Sequence, residues 1–393
     1  MAYQVKSTTS YGQRISGSFK KIAGGFGMFL IGTILLFWNE GNFVKTKKSL
    51  KEAEGITVRV NDVSTVDQSL NGKLIHACAF ADTKDLLVDG LFGVSETAIS
   101  ISRKVEYYQY EENSSTQTTE KIGGGEEKVT TYTYEKTWTS TPVNSKNFTD
   151  PAYKSSNFTL TVIDDKTVRA QNVTFGAYRL PDFIISSISG DIPANVNLTS
   201  AQLAEWEKVI HNTSANTKMV HVNGNMVYFG KSPSTPDIGD IRVTLTKILP
   251  SDISIIAKVI GSTFEQYYAS NGRSVSLVSM GIVSPENMYA QAHSSNSVLT
   301  WILRLIGLLL VIGGLKAIFE FLPTLFKVLP FLGKIVGAGI GLVCIIIGSV
   351  WSLIIIAIAW LWYRPVIGIL LLVIAGAGIW YLRKRNKTLE TNN

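Results

Sequence analysis

Hydrophobic and polar positions follow two regimes along this chain. Three long apolar runs fill the C-terminal part, Val298–Phe319, Ile335–Tyr363 and Val366–Leu382, and a fourth, Ile22–Trp38, lies near the N-terminus. A helix of roughly 20 apolar residues crosses a bilayer. Hydrocarbon requires each backbone N–H and C=O to be satisfied within the segment, so helices are predicted for all four. Pro323, Lys327 and Pro330 separate the second run from the third, and Arg364-Pro365 separates the third from the fourth. The competing reading, very apolar core helices of a soluble protein, leaves the basic tail Arg383-Lys384-Arg385-Asn386-Lys387 unexplained. For Ile22–Trp38 the competitor is a signal peptide, but the run ends Leu36-Phe37-Trp38-Asn39-Glu40 without a small-x-small cleavage site, and Trp38 suits an interfacial belt.

Between the first two runs the period changes. Ile56–Val60 and Leu74–Phe80 are short β-branched or apolar runs, and Ala98–Tyr110 and Lys128–Trp138 alternate in part, with Ile99 and Ile101, then Tyr132 and Tyr134. The turn-forming stretch Ile122–Glu126 joins the latter pair into a long predicted hairpin. Tyr107, Tyr108, Tyr110, Tyr132, Tyr134 and Trp138 would supply its aromatic cross-strand pairs. A helix is expected over Ser200–Asn212, capped by Thr199 or Ser200, and strands over Asp240–Ile248, Ile253–Gly261 and Ser274–Ile282. The fold class read from this is an α+β membrane protein: four transmembrane helices plus a large β-rich extracytoplasmic domain, antiparallel and barrel- or sandwich-like. No internal repeat of fixed period is present.

Charge orients this plan. The net charge of +7 hides a division: residues 52–296 carry 20 basic and 27 acidic side chains, the remainder 17 basic and 3 acidic. The domain is acidic, which argues against nucleic acid as a partner, and the basic excess sits beside the predicted bilayer. Lys/Arg bias in short loops then gives a cytosolic tail at 1–21, spans at 22–38, 298–319, 335–363 and 366–382, a cytosolic loop at 320–334 and a cytosolic tail at 383–393. Residues 39–297 lie across the membrane, beginning with a basic juxtamembrane stretch, 39–51, that either faces lipid or opens a solvated helix.

The chemistry is sparse. His76, His211, His221 and His293 show no zinc-ligand spacing, no phosphate loop or nucleophile elbow occurs, and Asp164-Asp165 and Glu126-Glu127 are adjacent pairs that a strand would point to opposite faces. Cys78 and Cys344 fall in different regions, so no disulfide is expected. No cofactor or metal is called for. Asn113, Asn147, Asn157, Asn172, Asn197 and Asn212 begin Asn-x-Ser/Thr sequons, usable as glycan acceptors only in a eukaryotic host. Arg304 is expected to snorkel to the interface, Lys316 and Glu320 to share a helix face, and Arg364 to mark the interface at the turn after the third span. Gly333, Gly337 and Gly341 form GxxxG steps that pack either within one chain or between copies.

Several stretches resemble one family. Asn39-Glu40-Gly41 with Lys45-Thr46 and Ser49-Leu50, Val105-Glu106-Tyr107-Tyr108-Gln109-Tyr110, Tyr132-x-Tyr134 with Trp138, Asn144-Ser145-Lys146-Asn147-Phe148, Gly239-Asp240-Ile241-Arg242-Val243, Ser295-Asn296-Ser297 with Thr300-Trp301, Leu303-Arg304 and Gly307, and Trp360-Leu361-Trp362-Tyr363-Arg364-Pro365 resemble, in order, the transmembrane protein 43 (LUMA) family. Residues 150–235 resemble it less. The resemblance implies a four-span protein of the endoplasmic reticulum and inner nuclear membrane, with its large domain in the lumen, that organises the nuclear envelope by associating with itself, lamins and emerin. In a bacterial host, lumen becomes periplasm, the membrane is the inner one, and the lamin and emerin partners drop out. The combined expectation is a non-enzymatic membrane scaffold whose partners are the lipid bilayer and further copies of itself. A membrane-tethered enzyme or a transporter stands as the alternative.

Overall fold

The structure is a computed structural model that describes residues 3–210 and 218–364. The predicted fourth span at 366–382, the tail at 383–393 and Asn212 lie outside the described residues. Six helices are described: α1 (Tyr11–Ile56), α2 (Asp182–Ile185), α3 (Ser200–Ile210), α4 (Pro285–Phe319), α5 (Phe321–Leu325) and α6 (Pro330–Tyr363). Three helical stretches, Tyr11–Ile56, Pro285–Leu325 and Gly333–Tyr363, are long and apolar enough to cross a membrane.

Each of these helices outruns its apolar stretch. α1 starts before Ile22 because Ser10 caps it: the Ser10 hydroxyl accepts from the Gln13 N–H and the Gln13 side chain accepts from the Ser10 N–H. It continues past Trp38 because Val44, Leu50 and Ala53 find buried partners. Within the stretch 39–51, Val44 and Leu50 are buried in the protein, while Lys45, Lys47, Lys48 and Lys51 are exposed. α4 likewise begins at Pro285, with Ser284 as its cap, well before the apolar run opens at Val298.

The domain is built on two large sheets, and two further two-stranded sheets, Tyr267–Tyr268 with Ser274–Val275 and Leu86–Asp89 with Val94–Thr97, are described beside them. In the first, the order runs Tyr3–Thr9, Glu126–Thr139, Ser100–Glu120, Ile241–Ile248, Met226–Phe229, Val220–Asn223, with Ile192–Pro193 and Lys166–Arg169 attached to its middle. In the second it runs Tyr178–Arg179, Val173–Phe175, Leu74–Thr83, Ser251–Ile260, Thr263–Glu265, with Leu277–Met280 and Val58–Val60 added; only Val58–Val60 pairs in parallel. Inward side chains of both sheets, Val105, Val227 and Val243 from one and Ile75, Ile253 and Ile255 from the other, share one core. The sheets do not close into a barrel.

The hairpin is longer than its alternation indicated. Its outgoing strand is Ser100–Glu120 and its return strand Glu126–Thr139, in register from Tyr107↔Thr139 to Glu120↔Glu126. The half nearest the core buries Ile101, Val105 and Tyr107; beyond Glu111 the ribbon leaves the core and Asn113–Thr119 are exposed. Tyr108 and Trp138 form the expected cross-strand pair, 5.1 Å apart, while Tyr110 and Tyr134 both pack on Tyr153. The N-terminal strand Tyr3–Thr9 adds to the outer edge of Glu126–Thr139, so residues 3–9, read as a polar tail, are a third ribbon strand.

α3 carries the expected cap, with the Thr199 hydroxyl accepting from the Gln202 N–H, and its Trp206 stacks on Phe92.

Candidate functional site

The polar groups that converge most strongly lie where α1, α4 and α6 meet, and a seven-residue ladder brings them there. Gly25, Gly32 and Asn39 on α1 oppose Gly314, Gly307 and Thr300 on antiparallel α4. A Cβ on Gly25 would sit 2.8 Å from the Gly314 carbonyl oxygen, and one on Gly32 would sit 2.9 Å from the Gly307 oxygen. At the third rung the Asn39 amide donates to the Thr300 carbonyl at 3.0 Å. Residues seven apart stay on one face of a helix, and small ones let two backbones approach closely.

The next two residues complete the junction. Glu40 is fully buried and takes Arg304 in a two-point ion pair, Nε to Oε1 at 2.6 Å and Nη2 to Oε2 at 2.9 Å. The Trp360 indole of α6 donates to the same carboxylate at 2.8 Å, so Glu40 ties three helices together. Gly41 leaves room for the Tyr363 ring, which a Cβ would strike at 2.5 Å. Asn39-Glu40-Gly41 therefore works residue by residue: one bonds α4, one clamps α4 and α6, one admits α6. The Asn39 Oδ1 is buried and has no hydrogen-bond partner among the described residues.

Above the junction α1 and α4 enter the domain. Leu50, Ala53, Met288 and Tyr289 pack with Leu74, Ile256 and Val275 of the β region. Polar contacts fix the angle. Glu52 accepts from the Ser270 hydroxyl, the Tyr267 hydroxyl and the Ser270 N–H, which hold its carboxyl below the ordinary value. Arg273 reaches Thr46 and Asn42 on α1. Burial raises the Tyr289 phenol to about 12 and keeps it a neutral hydroxyl against Thr57. At the opposite end of α1, Arg14 is buried against the hairpin tip, paired with Glu120 at 3.1 Å and Glu126 at 3.3 Å and bonded to the Gly124 carbonyl.

The remaining sequence candidates are dispersed. Arg304 is paired with the buried Glu40, with its guanidinium over the Trp301 ring at 4.6 Å. Lys316 is exposed, and Glu320 pairs not with it but with Lys21 of α1 at 2.8 Å. Arg364 lies over the Phe43 and Trp360 rings. Gly333 packs on Lys327, a Cβ on Gly337 would meet Pro323 at an ordinary 3.6 Å, and one on Gly341 would meet nothing within 4 Å among the described residues. Asn113, Asn147, Asn172 and Asn197 are exposed. Asn157 is committed to structure, its amide donating to the Tyr110 and Val143 carbonyls.

A scan with family models matches residues 107–365 to transmembrane protein 43. The chain belongs to the transmembrane protein 43 family. The mouse protein of that name is 29% identical over 348 residues, covering 86% of this chain and 83% of its own. The human protein is 27% identical over 395 residues, covering 97% and 94%, and a Drosophila melanogaster homolog is 24% identical over 364 residues, covering 91% and 92%. No solved structure matches. The matched span holds Arg304, Trp360 and Tyr363; Asn39-Glu40-Gly41 precedes it.

This family member carries one further cluster, which sequence spacing hid. His76 and Cys78 are two apart on Leu74–Thr83, hence on one face, beside a cavity of about 550 Å³ also lined by Arg59, Asn61 and Asn287. The Cys78 Sγ lies 3.7 Å from His76 Nε2 and 3.1 Å from the Ser254 hydroxyl. The same Nε2 lies 2.9 Å from the Val283 carbonyl, which only accepts, so Nε2 carries the proton. The nitrogen facing the thiol therefore cannot take its proton, and the pair is not a nucleophile with its base. Among the described residues, no group of three or more His, Cys, Asp or Glu could hold a metal ion.

Burial holds His76 below its ordinary 6.5, outweighing the Val283 bond. The folded protein then resists a proton that the unfolded chain accepts, so this contribution is full above 6.5 and lost as pH falls below it. Thermal unfolding of the full chain should show stability dropping below pH 6.5, with a shallower drop in His76→Gln; equal slopes would show that His76 is not the titrating group.

Proposed function

We propose that this chain is a non-enzymatic multi-pass membrane scaffold that works by self-association and partner binding. In a eukaryotic host it organises the endoplasmic reticulum and nuclear envelope membrane; in a bacterial host, the inner membrane. The observation that carries this reading is mechanical. α1 and α4 run unbroken from their apolar stretches into the β domain and are locked to it by Leu50, Ala53, Met288 and Tyr289. Such a connection transmits force and orientation rather than gating a cleft. The charge asymmetry of the sequence supports a domain body outside the cytoplasm and both termini inside. The glycines of α6 support a contact between copies, because among the described residues a Cβ on Gly337 would meet only Pro323 at 3.6 Å and one on Gly341 nothing within 4 Å. Family resemblance supplies lamins and emerin-like proteins as the eukaryotic partners.

The test scores variants in parallel for cellular function and for complex size on a native gel. Losses of function should follow losses of assembly, and Gly337→Leu should reduce complex size. A Cys78→Ser or His76→Gln variant that abolishes function with normal abundance and normal complex size would replace the scaffold reading with an enzyme.

A further inference from the structure

The three-stranded ribbon and the apolar helices occupy the same depth. The ribbon is rooted in the domain at Tyr107↔Thr139, where Tyr107 is buried in the core. Its tip is fastened to the far end of the helices: Arg14 pairs with Glu120 and Glu126, Lys327 with Glu120, and the Gly123 N–H donates to the Val328 carbonyl. From Tyr107 to Glu120 a strand extends about 43 Å at ~3.3 Å per residue. From Arg14, the same length of helix at ~1.5 Å per residue reaches about residue 43. The apolar stretch Ile22–Trp38 lies wholly between those levels.

This ribbon cannot face hydrocarbon. Both its surfaces are polar: Thr116 bonds Thr130 on one face, and Gln4 bonds Thr131 on the other. Both its edges are open. Among the described residues no strand pairs with the outer side of Tyr3–Thr9 or of the outgoing strand from Glu111 to Glu120. Lipid offers those backbone groups no partners, so protein or water must surround them. The helices, by contrast, present Ile31, Ile34 and Leu353 to their surroundings, 60–66% exposed.

We propose that the ribbon crosses the membrane inside a ring of copies of this chain, its Glu111–Glu120 edge pairing with the Tyr3–Thr9 edge of the next copy. The inference rests on the self-association proposed above and specifies its geometry. The two edges are compatible. The strands Tyr3–Thr9 and Ser100–Glu120 are each antiparallel to the strand between them, so they run in the same direction. One copy's outgoing strand then meets the next copy's N-terminal strand in parallel. That contact is head-to-tail, and repeating it around a closed ring leaves no free edge. The helices' apolar side chains are left for lipid at the outside.

Two measurements on the full chain in sealed vesicles test this, in a Cys78→Ser/Cys344→Ala background. The first labels Lys84→Cys on the domain body and Ile122→Cys at the tip with a membrane-impermeant maleimide. The inference expects the two to react from opposite sides of the membrane; reaction from the same side overturns the crossing. The second is the pair Lys6→Cys/Gln117→Cys. Both positions flank Val129, so within one chain they are two strand spacings apart, about 9.5 Å, too far for a disulfide. Oxidation should therefore yield a ladder of covalent multimers, and opposite-side labelling without a ladder overturns the ring. A chain that runs as a monomer in lipid nanodiscs would defeat self-association itself, whichever side the tip labels from.

Discussion

Glu40→Ala should destabilise the helix junction by about 3–5 kcal/mol, the range for breaking a buried ion pair from one side. The substitution strands the Arg304 guanidinium, whose side chain is 17% exposed, and deprives the Trp360 indole of its acceptor. Arg304→Ala should cost a comparable amount, because Glu40 is fully buried and would keep a charge without its partner. Replacing both, with Glu40→Leu and Arg304→Met, should cost less than the two single changes summed, since paired charges carry their own desolvation penalty. Chemical unfolding in detergent, followed by hydrogen exchange of the α1, α4 and α6 segments against that of the sheet strands, measures this. The helix junction should melt before the sheets in the single variants. Additive costs would mean that the carboxylate and guanidinium do not act as a unit.

Gly32→Leu should separate α1 from α4. A Cβ at this position meets the Gly307 oxygen, the Leu310 Cβ and the Val311 nitrogen, each at 2.9 Å, and two of those atoms are backbone. Backbone cannot rotate aside as a side chain can, so the helices must move apart. The cost should exceed the ~1–3 kcal/mol typical of an overpacked core, because displacement at this rung also stretches the Asn39–Thr300 bond. Gly341→Leu, made where nothing among the described residues lies within 4 Å, is the control and should leave single-chain stability unchanged. Equal effects of the two would refute the ladder as the α1–α4 contact.

What could be read in the sequence depended on whether a residue's partner was local. The apolar runs announced α1, α4 and α6 because membrane helices carry their signal within each segment. Their true ends did not show, because Arg14 and Ser18 at one end of α1 and Leu50 and Ala53 at the other are buried by partners distant in sequence. The hairpin showed where one face is buried, around Ile99 and Ile101, and faded at 111–120, where both faces are polar and alternation disappears. Glu40 and Arg304 are 264 residues apart, so nothing in either neighbourhood announced the ion pair. The seven-residue spacing of Gly25 and Gly32, and of Thr300, Gly307 and Gly314, was present in the sequence and would have found the α1–α4 seam.

The most direct test of the scaffold reading is the mass of the full-length protein extracted in native-lipid nanodiscs and measured by native mass spectrometry. One chain is 43.1 kDa. The account predicts protein masses at an integral multiple greater than one, persisting on dilution; a single 43.1 kDa chain at every concentration would contradict it.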